Sequence, residues 1–151
     1  MFRVLACVLI VWGSANFLVT AGDGKDPLAA RQGDWVCQGG GGQQGRDGPA
    51  MKLGLPFWSR EIPQKITLSL KGDRWTMVHS NGTAKGIATA RKGAKLDEID
   101  LTIDGKDGAK LLGLIVPLND GKWGFCLNLP GKARPADTVG ADLSYYWRPE
   151  K

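Results

Sequence analysis

The chain has 151 residues and a formal net charge of +5, and its 22 glycines and 8 prolines are many for a helical protein. This length suits a single domain, and the glycine and proline content favours short strands separated by turns. The lysines and arginines are scattered, with only Arg91 and Lys92 adjacent. Because no basic stripe is present that would bind a phosphate backbone, nucleic acid is excluded as a partner.

The N-terminal segment, residues 1–21, has the pattern of a signal peptide. Arg3 precedes an unbroken apolar run over residues 4–12, and Val19 and Ala21 are small residues at the two key positions of a cleavage site. The apolar run is too short to span a membrane. We therefore expect an exported protein, periplasmic or extracellular, without stable membrane insertion.

The mature chain is predicted to begin with a flexible polar leader over residues 22–31, followed by a single domain over residues 32–151. The first strand covers residues 32–37, in which Gly33 and Trp35 form a Gly-x-Trp opening. A tryptophan here buries a large area. We expect Trp35 to close one end of the fold.

Four consecutive glycines, residues 39–42, are predicted to end this strand, because ordering glycine in a ladder costs much conformational entropy. The connection that follows, residues 43–64, is long for a hairpin loop. It contains an apolar cluster of Met51, Leu53, Leu55, Phe57 and Trp58. This cluster is expected to act either as a mobile lid over a ligand cavity or as a fixed plug that completes the core.

The remaining strands follow in simple succession. Ile99, Leu101 and Ile103 alternate with polar residues, which indicates a strand with one buried face. Residues 95–135 hold three strands, and the others cover residues 66–71, 74–77, 83–90 and 143–148. Hairpin turns are marked by Asn81-Gly82, Asp104-Gly105 and Asp120-Gly121. About eight such strands predict an all-β fold, a single antiparallel up-and-down barrel that pairs its first strand with its last.

The cysteines are predicted to remain unbridged. Cleavage of the signal peptide removes Cys7 and leaves Cys37 and Cys126. Cys37 is in phase with Trp35 and faces inward, whereas Cys126 is out of phase with Phe125 and faces the other way. A disulfide needs Cβ vectors that converge, so we expect two free thiols.

Four short motifs in this chain occur together in one known family. They are Gln32-Gly33-Asp34-Trp35, Lys71-Gly72-Asp73, Ile99-Asp100-Leu101-Thr102-Ile103, and Cys126 followed by Pro130-Gly131-Lys132-Ala133-Arg134-Pro135. In these motifs the chain resembles an uncharacterised lipocalin-like domain family abundant in planctomycete bacteria, over residues 30–151. The resemblance implies a lipocalin-like barrel and an exported protein, and it brings no established activity. Lipocalins more broadly often bind small apolar ligands in the barrel; this chain departs from the family pattern at residues 39–42 and 55–58.

Residues suited to catalysis or metal binding are sparse. His79 is the single histidine and no Gly-x-Ser-x-Gly motif accompanies it, so a packed or half-exposed imidazole at a strand end is expected. One histidine and two mature cysteines lack the spacing of a zinc site. Asp97, Glu98, Asp100 and Asp104 are predicted to belong to a solvated outer face. We expect neither an enzyme nor a bound cofactor or metal.

The candidate ligand-binding residues are Phe57, Trp58, Met51, Lys132 and Arg134. The first three belong to the apolar cluster. Lys132 and Arg134 either hold an anionic group or lie in a proline-stiffened crossing between the last two strands. The inward tryptophans either line an aromatic pocket or fill the core.

Two functions are compatible with these features. The first is a non-enzymatic binding module, with a small apolar or amphipathic ligand in the barrel or at its mouth. The alternative is a structural or interaction domain of the cell envelope, with a filled barrel and no small ligand. A barrel of about eight strands has room for one small ligand or for side chains alone. Whether side chains fill the interior therefore distinguishes the binding module from the structural domain. A monomer is expected in either case.

Overall fold

The computed structural model describes residues 26–42, 48–56 and 65–151. Eight strands form a closed barrel in which each strand pairs with the next, antiparallel, and the last pairs with the first. They are β1 (Gly33–Gly42), β2 (Thr67–Lys71), β3 (Arg74–His79), β4 (Gly82–Arg91), β5 (Glu98–Ile103), β6 (Lys110–Pro117), β7 (Trp123–Asn128) and β8 (Leu143–Pro149). A 3-10 helix (Ala29–Arg31) and a short helix, α1 (Pro49–Lys52), complete the described elements. The predicted all-β, up-and-down barrel is confirmed.

The strands bury one face because apolar and polar residues alternate along them. In β5 the side chains of Ile99, Leu101 and Ile103 are buried, whereas Asp100 and Thr102 between them are partly exposed. β2 and β8 show the same alternation. The inward residues of all eight strands join in one core.

The predicted hairpin turns lie between consecutive strands. Asp120 and Gly121 both adopt positive φ, 60° and 69°, in the turn between β6 and β7. Gly105 does so after β5, with φ of 71°. Across the turn between β3 and β4, His79 pairs with Gly82, which places Asn81 in the loop. Glycine and aspartate tolerate such backbone conformations better than most residues.

The glycine run does not end the first strand, so that prediction is wrong. β1 continues to Gly42, and Gly40 and Gly41 pair with Tyr145 and Ser144 of β8 after a register shift between Cys37 and Gly39. This pairing closes the barrel, and its ladder hydrogen bonds offset the entropy lost by the glycines.

The barrel end next to residue 33 is closed by the segment that precedes β1. Leu28 is 2% exposed, and Trp35, which is 8% exposed, donates its indole N–H to the carbonyl oxygen of Arg31 at 2.9 Å. The guanidinium carbon of Arg31 lies 5.7 Å from the ring centroid of Trp123. Gln32 also exchanges two hydrogen bonds with the backbone of Gly72. Trp35 is therefore buried at a closed end, as predicted.

Part of the predicted leader belongs to this closed end. Residues 26–31 pack on the barrel instead of forming a flexible arm, because Leu28 is apolar and buried in the core. The predicted signal peptide and residues 22–25 lie outside the described residues.

Side chains fill the interior of the barrel, here called the lumen. Five aromatic residues of β1, β7 and β8 contact one another with ring centroids 5.5–6.5 Å apart: Trp35, Trp123, Phe125, Tyr145 and Trp147. Aliphatic residues of β2 to β6 complete the core with almost no exposed area. The inward tryptophans are therefore core residues.

Small residues on the inner face make room for large neighbours. A Cβ atom on Gly113 would lie 2.5 Å from Cδ2 of Leu127, and one on Gly86 would lie 3.1 Å from Nε1 of Trp75. That indole N–H donates to the carbonyl oxygen of Thr102 at 3.2 Å. These glycines therefore allow dense packing and leave no free volume beside them.

Cys37 and Cys126 are both buried free thiols, as predicted. Cys37 belongs to the lumen, where its thiol donates to the carbonyl oxygen of Gly39 at 3.1 Å. Cys126 faces the outer side of β7, with its sulfur 3.4 Å from the hydroxyl oxygen of Ser144. Burial raises the pKa of both thiols, which makes them poor nucleophiles.

Candidate functional site

A groove of about 650 Å³ lies on the outer wall of the barrel. One side is the connection between β4 and β5, residues 92–97, and the other side is the loop between β7 and β8, residues 129–142. We call it the outer groove; its lining includes Lys95, Leu96, Leu114, Arg134, Pro135 and Asp137. The side chain of Ile115 belongs to the core. Since successive side chains of a strand point to opposite faces, Leu114 faces outward.

The base of the β7–β8 loop is closed by Asp142. One carboxylate oxygen accepts the backbone N–H of Leu129 at 2.9 Å, and the other accepts from the ammonium group of Lys132 at 2.6 Å. Burial raises the pKa of this carboxyl, but these two donors outweigh it, so the pKa of Asp142 is lowered overall. The side-chain amide of Asn128 contacts both the early part and the end of the loop. Its nitrogen donates to the carbonyl oxygen of Ala133, and its oxygen accepts the backbone N–H of Asp142.

Arg134 fixes the middle of the same loop to the barrel wall. Its Nη1 donates to the carbonyl oxygens of Ile99, at 3.0 Å, and Gly113, at 2.6 Å. Its Nη2 donates to Asp100 at 2.5 Å, and its Nε lies 3.3 Å from Oε2 of Glu98. The guanidinium can lie flat against the strands because the side chain of Ile99 points inward and Gly113 has none.

The opposite side of the outer groove is a tight connection. The backbone N–H of Ile115 donates to the carbonyl oxygen of Asp97 at 2.7 Å, which extends the β5–β6 ladder by one pair. The carboxylate of Asp97 lies 3.3 Å from the ammonium group of Lys92. A Cβ atom on Gly93 would overlap the carbonyl oxygen of Leu96, so this connection requires glycine at that position.

The floor of the outer groove is apolar, although it is on the outside of the barrel. Leu114 is 7% exposed, and Cys126, its partner on β7, is fully buried. Pro135 of the covering loop is also buried. β6 and β7 are therefore buried on both faces over part of their length, unlike β2 and β5.

Two of the predicted site residues lie in this loop, and both are already paired. Lys132 is bonded to Asp142 and does not line the outer groove, whereas Arg134 lines it but is held by Asp100 and Glu98. Anion binding by either cation would have to displace a carboxylate of the chain itself. Their pairing matches the alternative of a structural crossing between the last two strands.

Met51 lies in a different place, within the β1–β2 connection. There Ala50 and Leu55 are fully buried in the core, and Met51 is partly buried. The Tyr145 hydroxyl donates to the carbonyl oxygen of Pro56 at 2.5 Å, and burial raises the pKa of this phenol. For residues 48–56 the contacts are those of a fixed plug; Phe57 and Trp58 lie outside the described residues.

His79 also holds this plug and is not arranged for catalysis. Its Nδ1 accepts the backbone N–H of Asn81 at 3.3 Å, so Nε2 carries the proton that it donates to the carbonyl oxygen of Gly54 at 2.9 Å. Both ring nitrogens are thus used by backbone groups. The imidazole is packed at the end of β3, as the sequence predicts.

Residues that sequence reasoning missed include Lys95, Leu114 and Asp137. The continuous apolar runs in β6 and β7 could have revealed the floor, because a strand buried on both faces lacks alternation. No sequence pattern identifies Lys95 or Asp137 as site residues, since both are charged residues in connecting segments. Their position depends on where the β7–β8 loop lies against the barrel.

Among the described residues, no group of three or more His, Cys, Asp or Glu side chains is placed to hold a metal ion. Within those same ranges, none of the helices has the length and apolar character needed to cross a membrane. Comparison with known protein families, curated proteins and solved structures finds no match to this chain.

Proposed function

We propose that this protein is an exported, non-enzymatic binding module whose site for a small apolar or amphipathic ligand is the outer groove. A volume of about 650 Å³ is within the usual range for small-molecule sites. The observation that carries the proposal is the contrast between a lumen packed with aromatic and aliphatic side chains and an open groove with an apolar floor.

Contacts at the barrel end that is covered by residues 48–56 support a site outside the barrel. The plug of residues 48–56 is tied to Tyr145 and His79 and places Ala50 and Leu55 in the core. A ligand entering the lumen there would have to displace these groups. The outer groove needs no such displacement, because Lys95 and Asp137 on its two sides are exposed.

A fluorescent long-chain fatty acid tests the proposal by equilibrium titration. We expect saturable binding to the natural protein and a dissociation constant raised at least about tenfold in Ala136→Trp, which puts a bulky ring into the groove. Val139→Trp is the matched control, because Val139 is in the same loop but 90% exposed and away from the groove lining. Equal affinity in both variants would refute a site in the groove.

The alternative function is a structural or interaction domain of the cell envelope with no small ligand. The filled lumen favours it, as do the ion pairs of Arg134 with Glu98 and Asp100, which connect the β7–β8 loop to the barrel. Absence of any saturable binding of the fatty acid by the natural protein would favour this alternative over a binding module.

A further inference from the structure

The two sides of the outer groove carry opposite charges that have no ion-pair partner in the part of the chain that the structure describes. Lys95 lies on the β4–β5 side and Asp137 on the β7–β8 side. Among the described residues, Lys95 forms no ion pair and Asp137 has no cation within pairing distance. Oδ1 of Asp137 accepts the backbone N–H groups of Val139 and Gly140. The two charges therefore face one groove and do not neutralise each other.

The other charged groups of the outer groove are ion-paired within the described residues, although no hydrogen bond reaches Oε2 of Glu98. Glu98 lies 2.5 Å from Arg91 and 3.3 Å from Arg134, measured from its Oε2 to their guanidinium nitrogens. Arg134 is further held by Asp100 and two carbonyl oxygens. A ligand would thus meet one available cation and one available anion, with an apolar surface of Leu96, Leu114 and Pro135 between them.

We propose, resting on the function proposed above, that the outer groove binds a short apolar peptide with both ends charged. Its terminal carboxylate pairs with Lys95, its terminal ammonium group pairs with Asp137, and its side chains cover the apolar floor. Charge-assisted hydrogen bonds at both ends fix its orientation. A fatty acid has only an anionic head, so it can pair with Lys95 but leaves Asp137 unpaired.

Calorimetric titration with the tripeptide leucyl-alanyl-leucine tests this assignment. Four forms are compared: free, N-acetylated, C-amidated and blocked at both ends. Because both pairs are solvent-exposed, we expect each single block to weaken binding about threefold to fivefold, and the double block to weaken it further.

Two substitutions assign each end of the peptide. In Lys95→Gln, C-amidation should no longer weaken binding, while N-acetylation still does. In Asp137→Asn, which keeps the oxygen that accepts from Val139 and Gly140, the dependence on N-acetylation should be lost instead. Lys122→Gln removes an equal charge outside the groove lining and should leave both dependences unchanged.

Equal affinity for all four forms, or saturable binding of the fatty acid without any binding of the free tripeptide, would overturn this inference while leaving a binding module in place. If neither the peptide nor the fatty acid binds, the proposed function fails together with the inference. The two failures are therefore distinguishable in the same set of titrations.

Discussion

At the scale of single residues, Arg134 differs from an exposed surface cation because it binds groups on two strands of the barrel. Its guanidinium joins the β7–β8 loop to two neighbouring strands through Ile99, Gly113 and Asp100. Its side chain is only 16% exposed, so these bonds are largely protected from solvent. Without Arg134, the negative charges of Asp100 and Glu98 would lie near each other with one positive charge fewer beside them.

We predict that Arg134→Met lowers the free energy of unfolding by about 2–3 kcal/mol, because breaking a mostly buried ion pair leaves its partners uncompensated. Urea unfolding followed by tryptophan fluorescence measures the change. Arg74→Met is the control, since its pair with Asp104 is exposed and should contribute less than about 1 kcal/mol. Equal losses in the two variants would show that Arg134 is an ordinary surface cation.

Asp142 gives a second prediction at this scale, in the dependence of stability on pH. Its pKa is lower in the folded chain than the value of about 3.9 for an unperturbed aspartate. Its ionised form therefore stabilises the fold at and above that pH, and this stabilisation is lost as the pH falls through the folded pKa. Compared with Asp142→Asn, the natural protein should be more stable at pH 7, by about 1 kcal/mol.

The difference between the two proteins should shrink as the medium is acidified below about pH 3.9. Thermal or urea unfolding at several pH values measures it. A difference that stays constant down to pH 2 would mean that the charge of Asp142 has no part in closing the loop.

At the scale of elements, glycines in two strands have opposite roles. In β1, a Cβ atom on Gly41 would meet no atom of the described residues within 4 Å, and the backbone there is not in the left-handed region. In β6, a Cβ atom on Gly113 would lie 2.5 Å from both Leu127 Cδ2 and the carbonyl oxygen of Cys126. The first glycine is replaceable, and the second is required by packing.

We predict that Gly41→Ala stabilises the protein by about 0.4–1 kcal/mol, because it reduces the entropy of the unfolded chain without a clash. Gly113→Ala should destabilise it by about 1–3 kcal/mol through overpacking. The same chemical change thus has opposite signs, measurable by urea unfolding of the two variants. Destabilisation by both would indicate that β1 needs its glycines for closure onto β8.

Elements were predictable where their signals are local. The strand β5 was predicted from alternation along neighbouring residues, and the turn at Asp120 and Gly121 from that residue pair. Both predictions are confirmed. The end of β1 was not predictable from glycine content, because its extension depends on β8, which lies about a hundred residues later in the chain. Long-range pairing outweighed local propensity there.

At the scale of the whole molecule, the barrel followed from the sequence but the outer groove did not. A run of hairpins implies closure, since a closed sheet has no exposed edges. The groove instead depends on the β7–β8 loop folding back over β6. That path is set by contacts of Arg134 with Ile99 and Asp100, more than thirty residues away. The sequence indicates Lys132 and Arg134 as cations for an anionic ligand, whereas in the structure their charges pair with Asp142 and Asp100 of the chain itself.

The filled lumen and the open outer groove together favour a ligand site on the outside of the barrel. Amide chemical-shift mapping by NMR during titration with the fatty acid tests it most directly. We expect the shift changes to concentrate at Leu96, Leu114 and Ala136, on the outside of the barrel. Changes concentrated instead at Phe125 and Tyr145, whose side chains lie in the lumen, would contradict it.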